Sequence, residues 1–314
     1  MLTAAGLLLY SATVLLAGPR ILPGLTRRGD APRPGVALWL TAIATVFLAW
    51  FGAVVFFIIE VVRHWQHPEL VILSCLSQLH GFLTGDHRGA PQALMVVIVA
   101  VVSGAVGVSS VRVGKALTRL RFRAHGHAEA VRMVGRPTRE PGVVVIDAVE
   151  PAAYCVAGRP PAIVVTSAML AVLGDDELRA VLAHERAHLA GRHLTVVSAL
   201  RSLAAVFPNL SLITVGVAEV ARLLEMCADD AAVRRHGSAA LLSGLASLVA
   251  AGPVEALAAA DIAVLARAER LAAKPPRWVR LRAHAALTAG TMIMLAAPLA
   301  GPLLALMGLP TCGP

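Results

Sequence analysis

Lysine and asparagine are almost missing from this chain. Of its 314 residues, only Lys115 and Lys274 are lysine and only Asn209 is asparagine. Arginine and alanine are abundant instead, the mark of a coding bias, so the formal net charge of +9 carries no argument for nucleic acid. No basic stretch has the interleaved aromatics or reader motif of a nucleic-acid surface, which excludes direct nucleic-acid binding. Cysteine is scarce as well. Cys75, Cys155, Cys227 and Cys312 form no CxxC and no ribbon spacing, which excludes a cysteine-ligated zinc site. Charge of either sign is thin at 15% of residues, while 57% are hydrophobic and the mean hydropathy is +0.74. Those values lie well above the soluble average and predict a mainly α, polytopic membrane protein.

Residues 1–17 carry no charge. They lack the basic n-region of a signal peptide, and Gly18-Pro19-Arg20 is no small-x-small cleavage site, so a first transmembrane helix is expected there. A short basic loop with Arg20, Arg27, Arg28 and Arg33 follows, then a second apolar run at 36–62. Residues 63–90 carry four histidines without a ligand spacing and read as a loop at the membrane surface. A third span is expected at 91–113. Arg112, Lys115, Arg119, Arg121, Arg123 and Arg132 crowd behind it. The positive-inside rule puts this flank and the first basic loop in the cytoplasm, and the 63–90 loop and the N-terminus outside. A last apolar run, 285–309, follows Arg277, Arg280 and Arg282 and has no Lys or Arg after it, so it exits outward. The expected plan is thus 1–113 with three spans, 114–282 as a cytoplasmic domain, and 283–314 as a fourth span with an outer tail. Cys75 and Cys312 then share the outer side and can form a disulfide, which a mobility shift on reduction would report.

The domain holds the chemistry. Ala183-His184-Glu185-Arg186-Ala187-His188-Leu189 contains His-Glu-x-x-His. On a helix, His184 and His188 share a face and can point at one ion. Glu185 sits where it can take a proton from an activated water. Asp175 and Asp176 are expected to cap this helix, with Gly191 ending it. A catalytic zinc needs three protein ligands and an open position. Glu225, in Glu225-Met226-Cys227-Ala228-Asp229-Asp230, is the best third ligand, on a second helix turned back on the first. Asp229, one turn on, can hydrogen-bond the far nitrogen of a ligand histidine. His193 competes for the third place, but it falls one residue early for the His-x-x-Gly-x-x-His pattern and otherwise reads as a surface or interface histidine. Cys227 faces away as a packing residue.

Val143–Ile146 is a strand candidate, and Tyr154–Ala157 with Ala162–Thr166 reads as a hairpin turned by Pro160-Pro161. Tyr154, Cys155, Val156 and Ala157 form an edge that an extended substrate can pair with. Residues 195–224 read as two buried or membrane-facing helices broken at Pro208, with a transmembrane hairpin as the alternative. Arg277 or Arg280 is a candidate oxyanion partner, with a positive-inside anchor as the competing role.

With these motifs placed between spans three and four, the chain resembles the BlaR/MecR-type membrane metallopeptidases, relatives of the HtpX-type zinc proteases. The resemblance rests on the spans, the strand pair, His184-Glu185-x-x-His188 and the "EMCADDAAV" stretch holding Glu225. It implies a gluzincin-type zinc peptidase domain, with His184, His188 and Glu225 as Zn2+ ligands, Glu185 as general base and Asp229 behind the metal. It further implies a bacterial inner-membrane protein, lipid-embedded, that cleaves a winged-helix repressor of the BlaI kind, and often itself. The sensing members carry a penicillin-binding domain after the last span. No such domain or Ser-x-x-Lys serine is expected for this chain, so a signal is expected to enter by another route. Two other functions stay open: an HtpX-like quality-control protease, and a zinc-stabilised membrane scaffold or receptor that would need no Glu185.

Overall fold

The computed structural model describes residues 2–63, 133–156, 160–251, 257–273 and 275–306, together with 104, 107–119, 122, 126, 129–131 and 158. Most of the expected loop 63–90 and span 91–113, and Cys75, Ala157 and Cys312, lie outside these residues; residues 104 and 107–119 are helical.

The chain opens with α1 (Leu2–Thr26) and α2 (Pro32–Arg63). Both are long and apolar enough to cross a membrane, over Thr3–Thr26 and Pro32–Ile59. The first helix outruns the expected 1–17, continuing through Pro19 and Pro23. Each proline removes one backbone donor, but packing carries the helix on. Leu22 is buried, and Gly18 lies so close to Leu212 that a Cβ there would come within 2.7 Å of it. The basic loop therefore shrinks to Arg27–Ala31. Pro32 opens α2, where its fixed φ suits a first helical position.

That short turn is fastened to the rest of the fold. Arg222 donates to the carbonyls of Thr26 (3.0 Å) and Arg27 (3.2 Å), and Arg270 to that of Gly29 (3.0 Å). Cationic donors on carbonyls at a helix C-terminus also suit its dipole. Gly29 has φ +64, and a Cβ there would meet Met226 Sδ at 2.2 Å. Gly29→Ala should therefore cost about 2 kcal/mol or more, from the left-handed backbone and the overpacking together. A thermal melt of the purified protein checks this; an unchanged Tm would mean the turn repacks freely.

The sheet is four-stranded, ordered β1-β2-β4-β3, with β1 (Arg136–Pro137), β2 (Val143–Ile146), β3 (Ala153–Val156) and β4 (Ala162–Thr166). The expected hairpin is the antiparallel β3–β4 pair, with Cys155 opposite Ile163, while β2 runs parallel to β4. β4 is buried along its whole length, as its unbroken apolar sequence requires of a strand covered on both faces. Ile163 and Val165 face Met169, Val181 and Leu182; Val164 faces Val131 and Val156. Thr166 then caps α3 (Ser167–Val172), accepting from the Met169 N–H.

α4 (Asp175–Ala190) carries the His-Glu-x-x-His motif. Its cap differs from expectation. Gly174 is the N-cap, and Glu177 reaches back to the Gly174 N–H at 3.0 Å. Asp175 and Asp176 lie in the first turn, where their charge suits the helix dipole.

The run 195–224 does break at Pro208, into α5 (His193–Val206) and α6 (Ser211–Ala251). This hairpin lies along the two apolar helices. Phe207 meets Phe47 at 5.4 Å between ring centres, and Gly216 sits against Ile43 and Trp39. α6 is broken at Gly237 by φ 82, an angle that glycine adopts at no steric cost. After α7 (Leu257–Ala272), α8 (Arg277–Leu306) spans most of the expected 285–309 run and returns along α2 and α1. There the Tyr10 hydroxyl reaches Thr45 Oγ1 (3.0 Å) and the Met294 carbonyl (2.9 Å).

Candidate metal centre

Small residues bring the two motif helices together. Ala180 and Ala183 on α4, and Ala228 and Ala232 on α6, are all but fully buried. Without bulky side chains at those positions the backbones approach closely. Glu225, Ala228, Asp229 and Ala232 fall at i, i+3, i+4 and i+7, one face of α6. This face meets the His184–His188 face of α4.

The result is a convergence of three donors. His184 Nε2 and His188 Nε2 lie 3.0 Å apart, and each is 3.4 Å from a Glu225 carboxylate oxygen. Four-coordinate zinc with bonds of about 2.0–2.1 Å would hold its donors about 3.3 Å from one another. The observed spacings match that value, so the imidazole–imidazole–carboxylate set fits one zinc ion. The electrostatics agree. Burial would raise the Glu225 carboxyl, but hydrogen bonds from His184 and His188 hold it well below the usual carboxylate range. Burial likewise disfavours a charged His184, yet Asp229 and Glu225 push its pKa up to about 9. The pocket therefore attracts a cation, and a proton on His184 serves when nothing stronger is bound.

Each histidine has a group behind it. His184 Nδ1 is 3.0 Å from Asp229 Oδ1, a close contact whose N–H points off the oxygen, so no aligned hydrogen bond forms. A slight turn of the ring would align it. His188 Nδ1 is 2.9 Å from His193 Nδ1. His193 is thus neither a third ligand in this arrangement nor a surface residue. It is buried behind His188. Arg192, at φ 52, turns the chain there, and Gly191 leaves room: a Cβ at Gly191 would meet the His193 ring at 2.3 Å. Burial and the neighbouring His188 lower the His193 pKa to about 4, so it stays neutral and can share one proton with His188.

The sequence reading missed Arg267. From α7 its Nε donates to Asp229 Oδ2 at 2.8 Å and its Nη2 to Oδ1, while Nη1 lies 3.5 Å from Glu225 Oε2. Three residues on, Arg270 pairs with Asp230. Two adjacent acids inside an apolar helix do ask for cations, but nothing in the sequence says which arginines answer. Arg277 and Arg280 do not line the cleft.

On the open side, β3 forms the sheet edge, and Ala153, Tyr154 and Cys155 line the cleft. Cys155 Sγ lies 3.0 Å from both the carbonyl and Oε2 of Glu185. Burial, then the Glu185 charge, push the thiol's pKa far up, so it is a donor to Glu185 and not a nucleophile. Val156 turns to the far face of the sheet, packed with Val131 and Val164, and leaves the cleft. Cys227 is buried away from the donors.

The family profile of peptidase family M48 matches residues 119–288, a span that takes in the sheet, both motif helices and Arg267. The chain belongs to peptidase family M48. The match carries the family and no finer type, so the M48 domain is a protease domain of metallopeptidase kind. No curated protein and no solved structure matches the chain.

In the metal-free M48 domain, His184 has a pKa of about 9 against an ordinary 6.5. Its contribution to stability is complete below the ordinary value and is lost as pH rises through about 9. His193, lowered to about 4, runs the other way: its contribution is present above the ordinary value and lost as pH falls toward 4. Metal-free protein should therefore be most stable near pH about 6.5. Zinc should remove the alkaline decline by taking the place of the His184 proton. Melts with and without chelator across pH 5–9 check this, and an equal alkaline decline in both would refute it.

Proposed function

We propose that this M48 chain is an integral-membrane zinc endopeptidase that cuts extended peptide segments at the cytoplasmic face of the membrane. The observation that carries the reading is the convergence of His184, His188 and Glu225 beside Glu185, in a cleft walled by an edge strand. His184, His188 and Glu225 would hold the metal, with Asp229 and His193 orienting the two rings. When bound, zinc supplies Lewis acidity to the scissile carbonyl and to the attacking water. Glu185 takes the proton of that water and passes it to the leaving amine. The Cys155 thiol holds the Glu185 carboxylate at 3.0 Å, which fixes the base before substrate arrives. β3 pairs with the substrate backbone and lays it across the donors.

The substrate class follows from the resemblance: a cytosolic winged-helix repressor of the BlaI kind, and the chain itself, cut in a regulatory way. The course of the cleft favours a second class. It runs along α5 and α6, which pack on the apolar helices α1 and α2, as suits quality control of membrane proteins.

New peptide N-termini in cells expressing wild type and Glu185→Ala test both. A few Glu185-dependent cuts, centred on one small DNA-binding protein, are expected for the regulatory protease. Many cuts across damaged membrane proteins would move the assignment to quality control. Equal N-termini, with zinc bound and expression matched, would leave the scaffold reading in place of the enzyme.

A further inference from the structure

The cleft continues past the three donors. It encloses about 310 Å³, and its far wall is α5, where Leu194, Val197 and Arg201 follow one another along a single face. Ala221 and Leu224 of α6 also line it. Arg201 is the one formally charged residue that this cleft does not need for its metal chemistry. It is exposed, it is the only Arg, Lys, Asp or Glu in α5, and no described residue pairs with it.

Arg201 is exposed in the cleft at the border of an apolar surface. Its helical neighbours Val196, Val197, Leu200, Leu203 and Ala204 pack into the same apolar cluster as α1 and α2, the two helices long enough to cross a membrane. A charge beside such helices persists where it lines a watery path or meets a partner. Arg201 lines the cleft, and its partner is not supplied by the described chain. A planar guanidinium with forked donors is suited to a carboxylate.

We propose that Arg201 is the specificity determinant of this cleft and binds a carboxylate on the peptide being cut. The inference rests on the peptidase reading above. The register follows from the helix. From Leu194, beside the donors, to Arg201 is about 10 Å along α5 at about 1.5 Å per residue. An extended peptide covers that length in about three residues. The preferred substrate therefore carries an acidic group about three residues from the scissile bond. An Asp or Glu side chain and a free C-terminal carboxylate offer the same chemistry.

The test uses the full-length, zinc-loaded protein in detergent and synthetic decapeptide libraries, each with one position held as Asp, Glu, Asn, Gln, Lys or Arg. One set is amidated at the C-terminus and one is free, and mass spectrometry reads the cuts. Wild type should cut about ten-fold or more faster with a carboxylate at that distance, the range of a charge-assisted hydrogen bond. A preference in the amidated set identifies an acidic side chain, and one confined to the free set identifies the chain terminus. Arg201→Glu should invert the preference toward Lys and Arg, and Arg201→Gln should flatten it, with zinc content unchanged in both. Binding of the same peptides to Glu185→Ala, read by fluorescence anisotropy, should show the same order. Identical charge profiles in wild type and Arg201→Glu would overturn the proposal while leaving the peptidase intact. No Glu185-dependent cut in any library would overturn the peptidase reading, and this inference with it.

Discussion

Glu185→Gln is expected to lower peptide hydrolysis by about 10²–10⁴-fold, with zinc content unchanged. The size follows from what is removed. The amide keeps the shape of the carboxylate and can still accept from the Cys155 thiol, 3.0 Å away in the native chain. It cannot take a proton from the attacking water. None of the three converging donors belongs to residue 185, so metal binding should survive. Each ten-fold loss corresponds to about 1.4 kcal/mol of transition-state stabilisation, so the substitution should read as a kcat effect far more than a KM effect. Undiminished hydrolysis would end the assignment of Glu185 as base. Loss of zinc together with activity would instead assign it a role in holding the site.

Arg267→Ala is expected to destabilise the fold strongly, although the residue is none of the three donors. Asp229 is fully buried, and Arg267 covers both its carboxylate oxygens. Burial works against the Asp229 charge, but Arg267 and then His184 hold its pKa below the usual range, so the carboxylate stays ionised. Removing the guanidinium leaves a buried charge with one imperfectly aligned partner. Breaking a buried pair in this way costs about 3–5 kcal/mol. Zinc should also bind more weakly, since the group behind a ligand histidine typically changes metal affinity by about 10–100-fold. Denaturant unfolding of the purified protein, with zinc titrated separately, reads both effects. The double variant Arg267→Leu/Asp229→Asn should recover much of the lost stability, because no bare charge remains. Equal losses in the single and double variants would show that packing by the arginine stem, and not charge, is what matters.

Both experiments address the same centre, yet the two residues were legible to very different degrees. Glu185 announces itself: it stands inside a motif whose spacing is set by 3.6 residues per turn. Arg267 stands 42 positions after Glu225 in an Ala- and Leu-rich stretch, and only the docking of α7 against α6 brings it within 3.5 Å of that carboxylate. His193 was visible as a residue and misjudged as a place. Its spacing excluded the metzincin pattern, but its burial behind His188 depends on the left-handed turn at Arg192 and the missing side chain of Gly191. Cys155 was placed on a strand correctly, while its contact with Glu185 required the sheet edge to lie across α4. The first helix shows the same limit. An end near residue 17 was expected where the uncharged run gives way to the basic loop, but packing against α6 and α2 carries the helix on to Thr26.

What the sequence determined alone is whatever is local. The i, i+4 pairs His184–His188 and Glu225–Asp229, the β3–β4 hairpin around Pro160-Pro161, the break at Pro208 and the long apolar runs each arise within one or two turns of chain. What the tertiary structure decided is which of these meet. Buried alanines at 180, 183, 228 and 232 let α4 and α6 approach until three donors stand about one zinc-ligand spacing apart. That same approach sets Asp229 behind His184, while the turn at Gly191-Arg192 sets His193 behind His188 and the docking of α7 on α6 brings Arg267 to Asp229. Helical and strand periods are properties of neighbouring residues, whereas those meetings depend on side-chain volume at sites far apart in the chain.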